Sequence, residues 1–221
     1  MRLHKMKKTP NVFVMNHETN VVENTVKPGS EWVLNGEGVA TVKFDGTSTM
    51  WKDGILWKRY DRKLNKTAAR RLKKGEPLSI DMFKEPPTGF VPCEENPDPV
   101  TYHWPGWAPI DANDPNDHRH VEALESATGL VDGKTYELVG PTLAGNVYGL
   151  ERHELWEHGS VVVDLPVVTF DTIRDYLISN NIEGFVFHHS DGRLAKIRRK
   201  DFCLNKKRDY HWYMMIDSDF V

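Results

Sequence analysis

Polar and apolar positions alternate through Thr41-Val42-Lys43-Phe44-Asp45, which puts Thr41, Lys43 and Asp45 on one face of an extended segment and Val42 and Phe44 on the other. The pattern predicts a strand whose apolar face anchors in a core while a lysine stands opposite, just before an Asp45-Gly46 break. Over residues 39–60 the alternation reads as two strands joined at Asp53-Gly54, a dipeptide suited to the positive φ angles of a tight hairpin, with Met50, Trp51, Ile55, Leu56 and Trp57 around it. Such a hairpin places Lys43 near its open end. Glu31-Trp32-Val33-Leu34 reads as a short strand closed by an Asn35-Gly36 turn, and residues 1–30 as an edge strand and a loop ending at Pro28-Gly29-Ser30.

Further along, Asn65 is placed to cap a helix over residues 66–74 that stops at Gly75. Asp114-Pro115 opens a helix that Gly129 ends. Residues 135–139 and 159–163 read as strands, and Asp171 as the cap of a helix running to about residue 179. Residues 184–189 and 193–199 form a hairpin around Ser190-Asp191-Gly192. Strands that are mostly antiparallel, with helices interspersed irregularly, predict an α+β fold. Residues 84–117 hold eight of the thirteen prolines, with Trp104 and Trp107 among them, so this stretch is expected as a long, weakly regular insertion of the kind that serves as a lid or binding element.

Length and composition narrow the picture. With 221 residues the chain suffices for one well-buried core and is short for two full domains, so a single domain over residues 1–221 is expected. Its 39% hydrophobic and 28% charged residues exclude a disordered or membrane-spanning chain. The apolar run Val12-Phe13-Val14-Met15 after the basic N-terminus is too short for a leader or a span. Cys93 and Cys203 are too few for a disulfide framework or a cysteine zinc cluster, so a cytoplasmic or nuclear setting is expected. The net charge of −3 excludes a uniformly basic nucleic-acid coat, but its distribution is uneven. Positive charge gathers over residues 58–74 and again over 193–208, with carboxylates between them. If both basic segments border one cleft, they make a face that attracts phosphate; the first can equally be a solvated helix face.

Four groups suggest chemistry. A lysine on an apolar strand, partly desolvated and near other cations, is a nucleophile for phosphorus or carbon, and Lys43 is the candidate. Asp45 on the same face can orient the amine or a metal, or only shape the turn. Lys196 and Arg198 stand two apart on one strand face with Leu194, an arrangement that repels unless an anion lies between them or water covers them. Glu183 precedes the apolar strand Gly184-Phe185-Val186-Phe187, where a carboxylate can bind a divalent metal. Glu137 stands inside Tyr136-Glu137-Leu138-Val139 and needs a partner, such as a nearby arginine, to be tolerated there. Gly133-Lys134-Thr135 ends like a Walker A loop, but Thr128 holds the place of its first glycine. His118, His120, His188 and His189 lack metal-ligand spacing and read as surface or polar-strand residues.

Lys43-Phe44-Asp45-Gly46, Trp57-Lys58-Arg59-Tyr60-Asp61-Arg62, Tyr136-Glu137-Leu138-Val139-Gly140-Pro141, Glu183-Gly184-Phe185-Val186-Phe187 and Ala195-Lys196-Ile197-Arg198 occur in the order of the motifs of the covalent nucleotidyltransferases. With Gly38-Val39-Ala40-Thr41 before the lysine, the chain from about residue 31 to 202 most resembles the small vertebrate-type ATP-dependent 5′–3′ RNA ligases of that superfamily. The resemblance implies a nucleotidyltransferase fold of two antiparallel sheets with flanking helices around an ATP cleft. Only about twenty residues follow Arg199, so no OB-type domain is expected.

The resemblance also implies roles. Lys43 would carry AMP through a phosphoramide bond, Glu183 would serve catalysis and metal binding together with Asp45, and Lys196 and Arg198 would hold the α-phosphate. Glu137 would contact the ribose and Arg59 the nucleotide and the incoming phosphate end. Beyond what the resemblance implies, Arg62 and Lys63 are expected to extend that contact to the nucleic-acid backbone. Trp156 has the approximate place of the aromatic that stacks on adenine, with Tyr148 as second choice. ATP and Mg²⁺, or Mn²⁺, are the implied cofactors, RNA with 5′-phosphate and 3′-hydroxyl ends the implied partner, and a monomer away from membranes the expected state. A catalytically silent RNA-binding protein with the same fold, a DNA ligase and a guanylyltransferase stay open as alternatives.

Overall fold

The computed structural model describes residues 9–204. The basic N-terminus 1–8, and Lys206, Lys207 and Arg208 of the second basic segment, lie outside the described residues. In chain order the elements are β1 (Phe13–Asn16), β2 (Val21–Val26), α1 (Glu31–Leu34), β3 (Gly38–Lys43), β4 (Thr47–Lys52), β5 (Ile55–Arg62), α2 (Ala68–Lys73), β6 (Val91–Pro92) and β7 (Trp104–Pro109). There follow α3 (His118–Ser126), β8 (Thr135–Val139), β9 (Glu154–Glu157), β10 (Val162–Val163), α4 (Phe170–Ser179), β11 (Gly184–His189) and β12 (Leu194–Arg198), with short 3₁₀ turns at Ile80–Met82, Pro115–Asp117 and Arg199–Phe202. The ladders between these strands are antiparallel and the class is α+β. No helix among the described residues is long and apolar enough to cross a membrane.

The chain divides into two compact units: residues 47–136 form the first, and residues 9–46 with 137–204 the second. The first is thus an insertion in the sequence of the second. In the second unit, β3 is an inner strand of a four-stranded sheet ordered β10-β3-β11-β12. The alternation that predicts β3 decides which face is buried. Ala40, Val42, Phe185, Phe187, Ala195 and Ile197 turn to one side, each at most 6% exposed, and join Phe13, Ile173 and Leu177 in the core. At about 1.5–3 kcal/mol for each large side chain buried, this face holds the sheet in place. The opposite face carries the polar residues in rows set by the register: Lys43, Gly184 and Arg198 in one, Thr41, Val186 and Lys196 in the next. The segment before β1 adds a short parallel bridge beside β12, with Lys196 N donating to Pro10 O at 2.8 Å.

In the first unit the strand order is β6-β7-β5-β4. The β4–β5 hairpin turns at Asp53 (φ 53°) and Gly54 (φ 75°), as the dipeptide predicts. Met50, Trp57, Cys93 and Trp107 make one small core, and Ala68, Met82, Phe83 and Trp104 another.

Several expectations are corrected. Residues 31–34 form the single-turn helix α1, not a strand. Trp32 and Val33 are both buried, which adjacent positions on a helix can achieve and opposite faces of an edge strand cannot. Residues 39–60 make three strands, and Lys43 ends β3 of the second unit instead of lying at the open end of the β4–β5 hairpin. The stretch 84–117 is not weakly regular throughout, because β7, with Trp104 and Trp107 buried, pairs with β5 along its whole length. α4 is capped by Thr169, whose hydroxyl accepts from Thr172 N, and Asp171 sits in its first turn, paired with Arg174. α2 begins at Ala68 with Thr67, not Asn65, at its N-cap position; Asn65 holds the turn before it, its side-chain oxygen accepting from Thr67 N and Ala68 N. The residue 159–163 strand shrinks to β10, while β9 had no alternation to reveal it.

Candidate active site

Lys43 leaves β3 with its ammonium held by Glu183, at 2.5 Å from Nζ to Oε2, and by the Phe44 carbonyl at 3.1 Å. The pair is half-sheltered, its side chains 24% and 12% exposed. Glu183 stands one residue before Gly184, the strand partner of Lys43, so the β3–β11 register itself brings the two together. Burial pushes the Glu183 carboxyl above the ordinary carboxylate range, and the negative charges of Asp45 and Glu137 add to this against the opposing effect of Lys43.

The Asp45-Gly46 break is fixed by close approach, not by an unusual dihedral. A Cβ on Gly46 would lie 2.2 Å from the Leu138 carbonyl oxygen, so only glycine fits against β8. Its N–H donates to Glu137 Oε1 at 3.0 Å, while Glu137 Oε2 lies 2.7 Å from His158 Nε2. Asp45 N donates to the Tyr148 hydroxyl at 2.6 Å. These bonds tie the turn after the lysine to β8 and to the loops on either side of β9.

Lys196 and Arg198 share the polar face of β12 as their spacing predicts, but they are not equivalent. The guanidinium of Arg198 is held in a fork by the buried Asp201, with Nε 3.1 Å from Oδ2 and Nη2 2.8 Å from Oδ1. The ε-amine of Lys196 forms no hydrogen bond or ion pair among the described residues. Desolvation first, then the charges of Arg198 and Lys43, push its pKa down to about 8. An ammonium placed so is a cation without a counter-ion, and an anion on this face would stabilise it.

The second unit therefore brings Lys43, Asp45, Glu183, Lys196 and Arg198 together on one sheet face and its adjoining turns, with Glu137 of β8 bonded to the turn at Gly46. Trp156 is half-buried in the same unit, its ring 5.2 Å from Phe44 and 4.7 Å from Tyr148, with its indole N–H donating to Glu154. Tyr148 itself is 3% exposed, which removes it as a stacking platform. Arg59, Arg62 and Lys63 belong to the first unit. There Arg59 is exposed and pairs with Asp61 at 3.3 Å, and Arg62 is buried. The expectation for the histidines needs amending at His120, which is buried on α3; His188 is a polar-strand residue as expected, half-buried with Nε2 3.0 Å from the Thr41 hydroxyl, its pKa lowered by burial and then by the nearby His158.

Four functional contacts were not anticipated: Tyr148 on Asp45, His158 on Glu137, Asp201 on Arg198, and Leu138 against Gly46. Asp201, three residues after Arg198, could have been found from its spacing; the others depend on loops whose course the sequence does not reveal. Among the described residues no group of three or more His, Cys, Asp or Glu is arranged as a ready-made metal site. Glu183 and Asp45 do offer an all-oxygen donor set close enough for their charges to interact, which suits a hard divalent cation that takes its remaining ligands from substrate phosphates and water.

Comparison with known proteins agrees with the motif order. A family model described as RNA ligase 1 matches residues 126–214, a span that includes Glu137, Trp156, Glu183, Lys196 and Arg198. RNA ligase 1 of Pongo abelii is 32% identical over 216 residues, covering 73% of this chain and 66% of the relative. RNA ligase 1 of Rattus norvegicus is 31% identical with the same coverage, and that of Danio rerio 30% identical over 72% of the chain. The chain spans 66% of the length of these relatives. It belongs to the RNA ligase 1 family.

Proposed function

We propose that this chain is an ATP-dependent RNA ligase with a nucleotidyltransferase fold, which joins 5′-phosphate and 3′-hydroxyl RNA ends through an AMP carried on Lys43. The observation that carries the reading is the polar sheet face: a lysine aimed by a half-buried glutamate, with an uncompensated lysine two strands away and a glycine between. Gly184, between Lys43 and Arg198, is fixed by close approach, since a Cβ there would lie 2.1 Å from the Ile197 carbonyl oxygen.

Three displacements at phosphorus follow, each needing little from the protein beyond positioning and charge. The Lys43 amine attacks the α-phosphorus of ATP, a P–N bond forms, the bond to the bridging oxygen breaks, and pyrophosphate leaves. The Glu183 carboxylate already bonded to the amine is in reach of the proton that the amine must lose. Lys196 faces the charge that develops on the α-phosphate oxygens, while Arg198, anchored by Asp201, supports it from the side. The 5′-phosphate of an RNA then attacks the same phosphorus, the P–N bond breaks, and the lysine amine is regenerated. In the last step the 3′-hydroxyl attacks the 5′-phosphorus and AMP leaves. Mg²⁺ held by Glu183 and Asp45 would neutralise charge on the departing pyrophosphate. Glu137 is assigned to the ribose, Trp156 to the adenine, and Arg59 to the incoming phosphate end.

Lys196 gives the binding step a pH dependence. Phosphate favours the ammonium form, and in the free protein half of that form is lost at about pH 8. Above this pH, binding must recruit a proton. Affinity for ATP or AMP is therefore expected to be flat below about pH 7.5 and to fall by up to about tenfold per pH unit above 8. Calorimetric titration from pH 7 to 9.5 in buffers of different ionisation enthalpy checks this. A flat affinity without proton uptake overturns the role of Lys196.

The reading as a whole is tested by intact mass after incubation with ATP and Mg²⁺, followed by addition of RNA carrying a 5′-phosphate. An acid-labile adenylyl adduct that RNA, not DNA, discharges with formation of joined strands is the expected result. Adduct formation from GTP instead, or discharge by DNA alone, would assign a guanylyltransferase or a DNA ligase. No adduct from protein stripped of bound AMP would leave an RNA-binding protein.

A further inference from the structure

The first unit holds a cavity of its own, about 340 Å³, between the end of β5 and the turn before β7, lined by residues 61–64 and 101–103. Arg62 lies in its wall and is only 9% exposed. The guanidinium sits 4.9 Å from the Trp104 ring centroid and 5.9 Å from that of Phe83, and Nε donates to the Lys84 carbonyl at 2.7 Å. A carbonyl and two ring faces solvate a guanidinium without neutralising it. Among the described residues no carboxylate pairs with it, and nothing takes up its terminal N–H groups. The one acid lining the cavity, Asp61, is already engaged by Arg59 at 3.3 Å and by His103 Nε2 at 3.2 Å.

The rim of the cavity is set in advance. The Asp98 carboxylate accepts from Thr101 N at 2.7 Å and Val100 N at 2.9 Å, bonds that hold its pKa below the ordinary carboxylate range. Tyr102 N donates to Asp98 O, and Tyr102 is kept at a positive φ of 56°. A buried, uncompensated cation opening on a shaped cavity is an anion site, and the planar fork of arginine fits phosphate oxygens in pairs. What surrounds it favours a long polyanion over a free phosphate. Exposed Lys63 and Tyr102 line the cavity with the anchor, a second cation and a ring, and Arg70 and Lys73 of α2 follow Lys63 in the sequence, while Arg71 is taken by Glu76 and Asp81.

We propose that this cavity is a phosphate subsite for an RNA strand, anchored by Arg62. It rests on the RNA ligase reading above and adds a grip on the substrate backbone that lies wholly within the first unit. The test is binding of the full chain to labelled single-stranded RNA by fluorescence anisotropy across a salt series, with the wild type, Arg62→Gln and Thr101→Trp. The last substitution fills the mouth from an exposed position and leaves every charge in place.

Arg62→Gln is expected to bind about tenfold more weakly at low salt and to flatten the slope of log K against log salt by about 0.7, the share of one phosphate on a single strand. Thr101→Trp should lose the same contact and flatten the slope equally. Circular dichroism establishes that each variant is folded; should Arg62→Gln fail to fold, Thr101→Trp decides alone. Wild-type affinity and slope in a folded variant overturn the proposal. So does displacement of the RNA by inorganic phosphate or AMP at equal phosphate concentration, which would assign a site for small anions. AMP loading of the wild type, measured in parallel, reports on the ligase reading separately, since its failure leaves the salt slopes to be judged on their own.

Discussion

Lys43→Met takes up no adenylyl group from ATP, while RNA that already carries an adenylylated 5′ end is still sealed. The two halves of this expectation come from the same assignment. The lysine amine forms and loses a covalent bond in the first two displacements and none in the third, so its removal should lower overall joining by about a thousandfold or more but spare the final step. The side chain has a second role, because it is the cation beside the half-buried Glu183. Methionine leaves that carboxyl without its partner, so a loss of activity alone would be ambiguous. Lys43→Arg resolves this. Arginine keeps the positive charge near Glu183 but offers no nucleophilic amine at neutral pH, so it should fold with near wild-type stability and still show no adduct. Intact mass gives the first readout and gel-resolved sealing of pre-adenylylated RNA the second. An adduct on either variant would place the nucleophile elsewhere.

Lys196→Met should make the protein more stable and nearly inactive. Methionine keeps the length of the stem and removes a charge that the folded chain holds at a cost. The shift from 10.5 to about 8 corresponds to at most about 3 kcal/mol, and the partial solvation of the amine reduces this to about 1–2 kcal/mol. The sign can be checked with pH. Folding lowers the pKa of Lys196, so below pH 8 both folded and unfolded chains are protonated and the cost is present in full. It fades as pH rises from 8 towards 10.5, where the native state has already shed its proton. The gain in Tm of the variant over the wild type should therefore be several degrees at pH 7 and shrink above pH 8. Adenylylation at saturating ATP should fall by about two to three orders of magnitude, as for loss of a principal donor to the developing charge. Scanning calorimetry and adduct-formation rates test both parts. A variant that is less stable at pH 7, or one that loads AMP at the wild-type rate, would remove Lys196 from the role of phosphate clamp.

The parts of this architecture legible in the sequence are those governed by period two. The alternation around Lys43, the Asp53-Gly54 turn and the hairpin of β11 and β12 each follow from local rules, and together they placed Lys43, Lys196 and Arg198 on polar faces. What the sequence did not reveal depends on long-range closure. That β3 pairs with β11, and so sets Lys43 against Glu183, needs a pairing across 140 residues that neither strand announces. The helix α1 was misread because two adjacent large apolar residues fit a buried turn as well as a strand. β7 was missed because prolines at 105 and 109, which usually argue against a sheet, stand at either end of a strand of six residues. Tyr148 and His158 lie on irregular segments with no periodic pattern at all. Glu137 was rightly expected to need a partner, yet it found a histidine and the Gly46 amide instead of an arginine.

The insertion of the first unit between Gly46 and Glu137 bears on how the chain folds. Thr41 bonds to Val186 and Lys43 to Glu183 across separations of 145 and 140 residues, so the loop that must close before the lysine meets its glutamate spans most of the chain. Pairings this distant in sequence are entropically slow to form. During synthesis, β3 therefore emerges with an unpaired edge long before its neighbour β11 exists, while the hairpins of the inserted unit close locally. Lys43 is therefore made well before Glu183 and gains its surroundings only once that distant segment has closed on it. On the proposed reaction, a partly folded or truncated chain would carry the lysine but not the surroundings assigned to activate it, so loading with AMP is expected only of molecules that have finished folding.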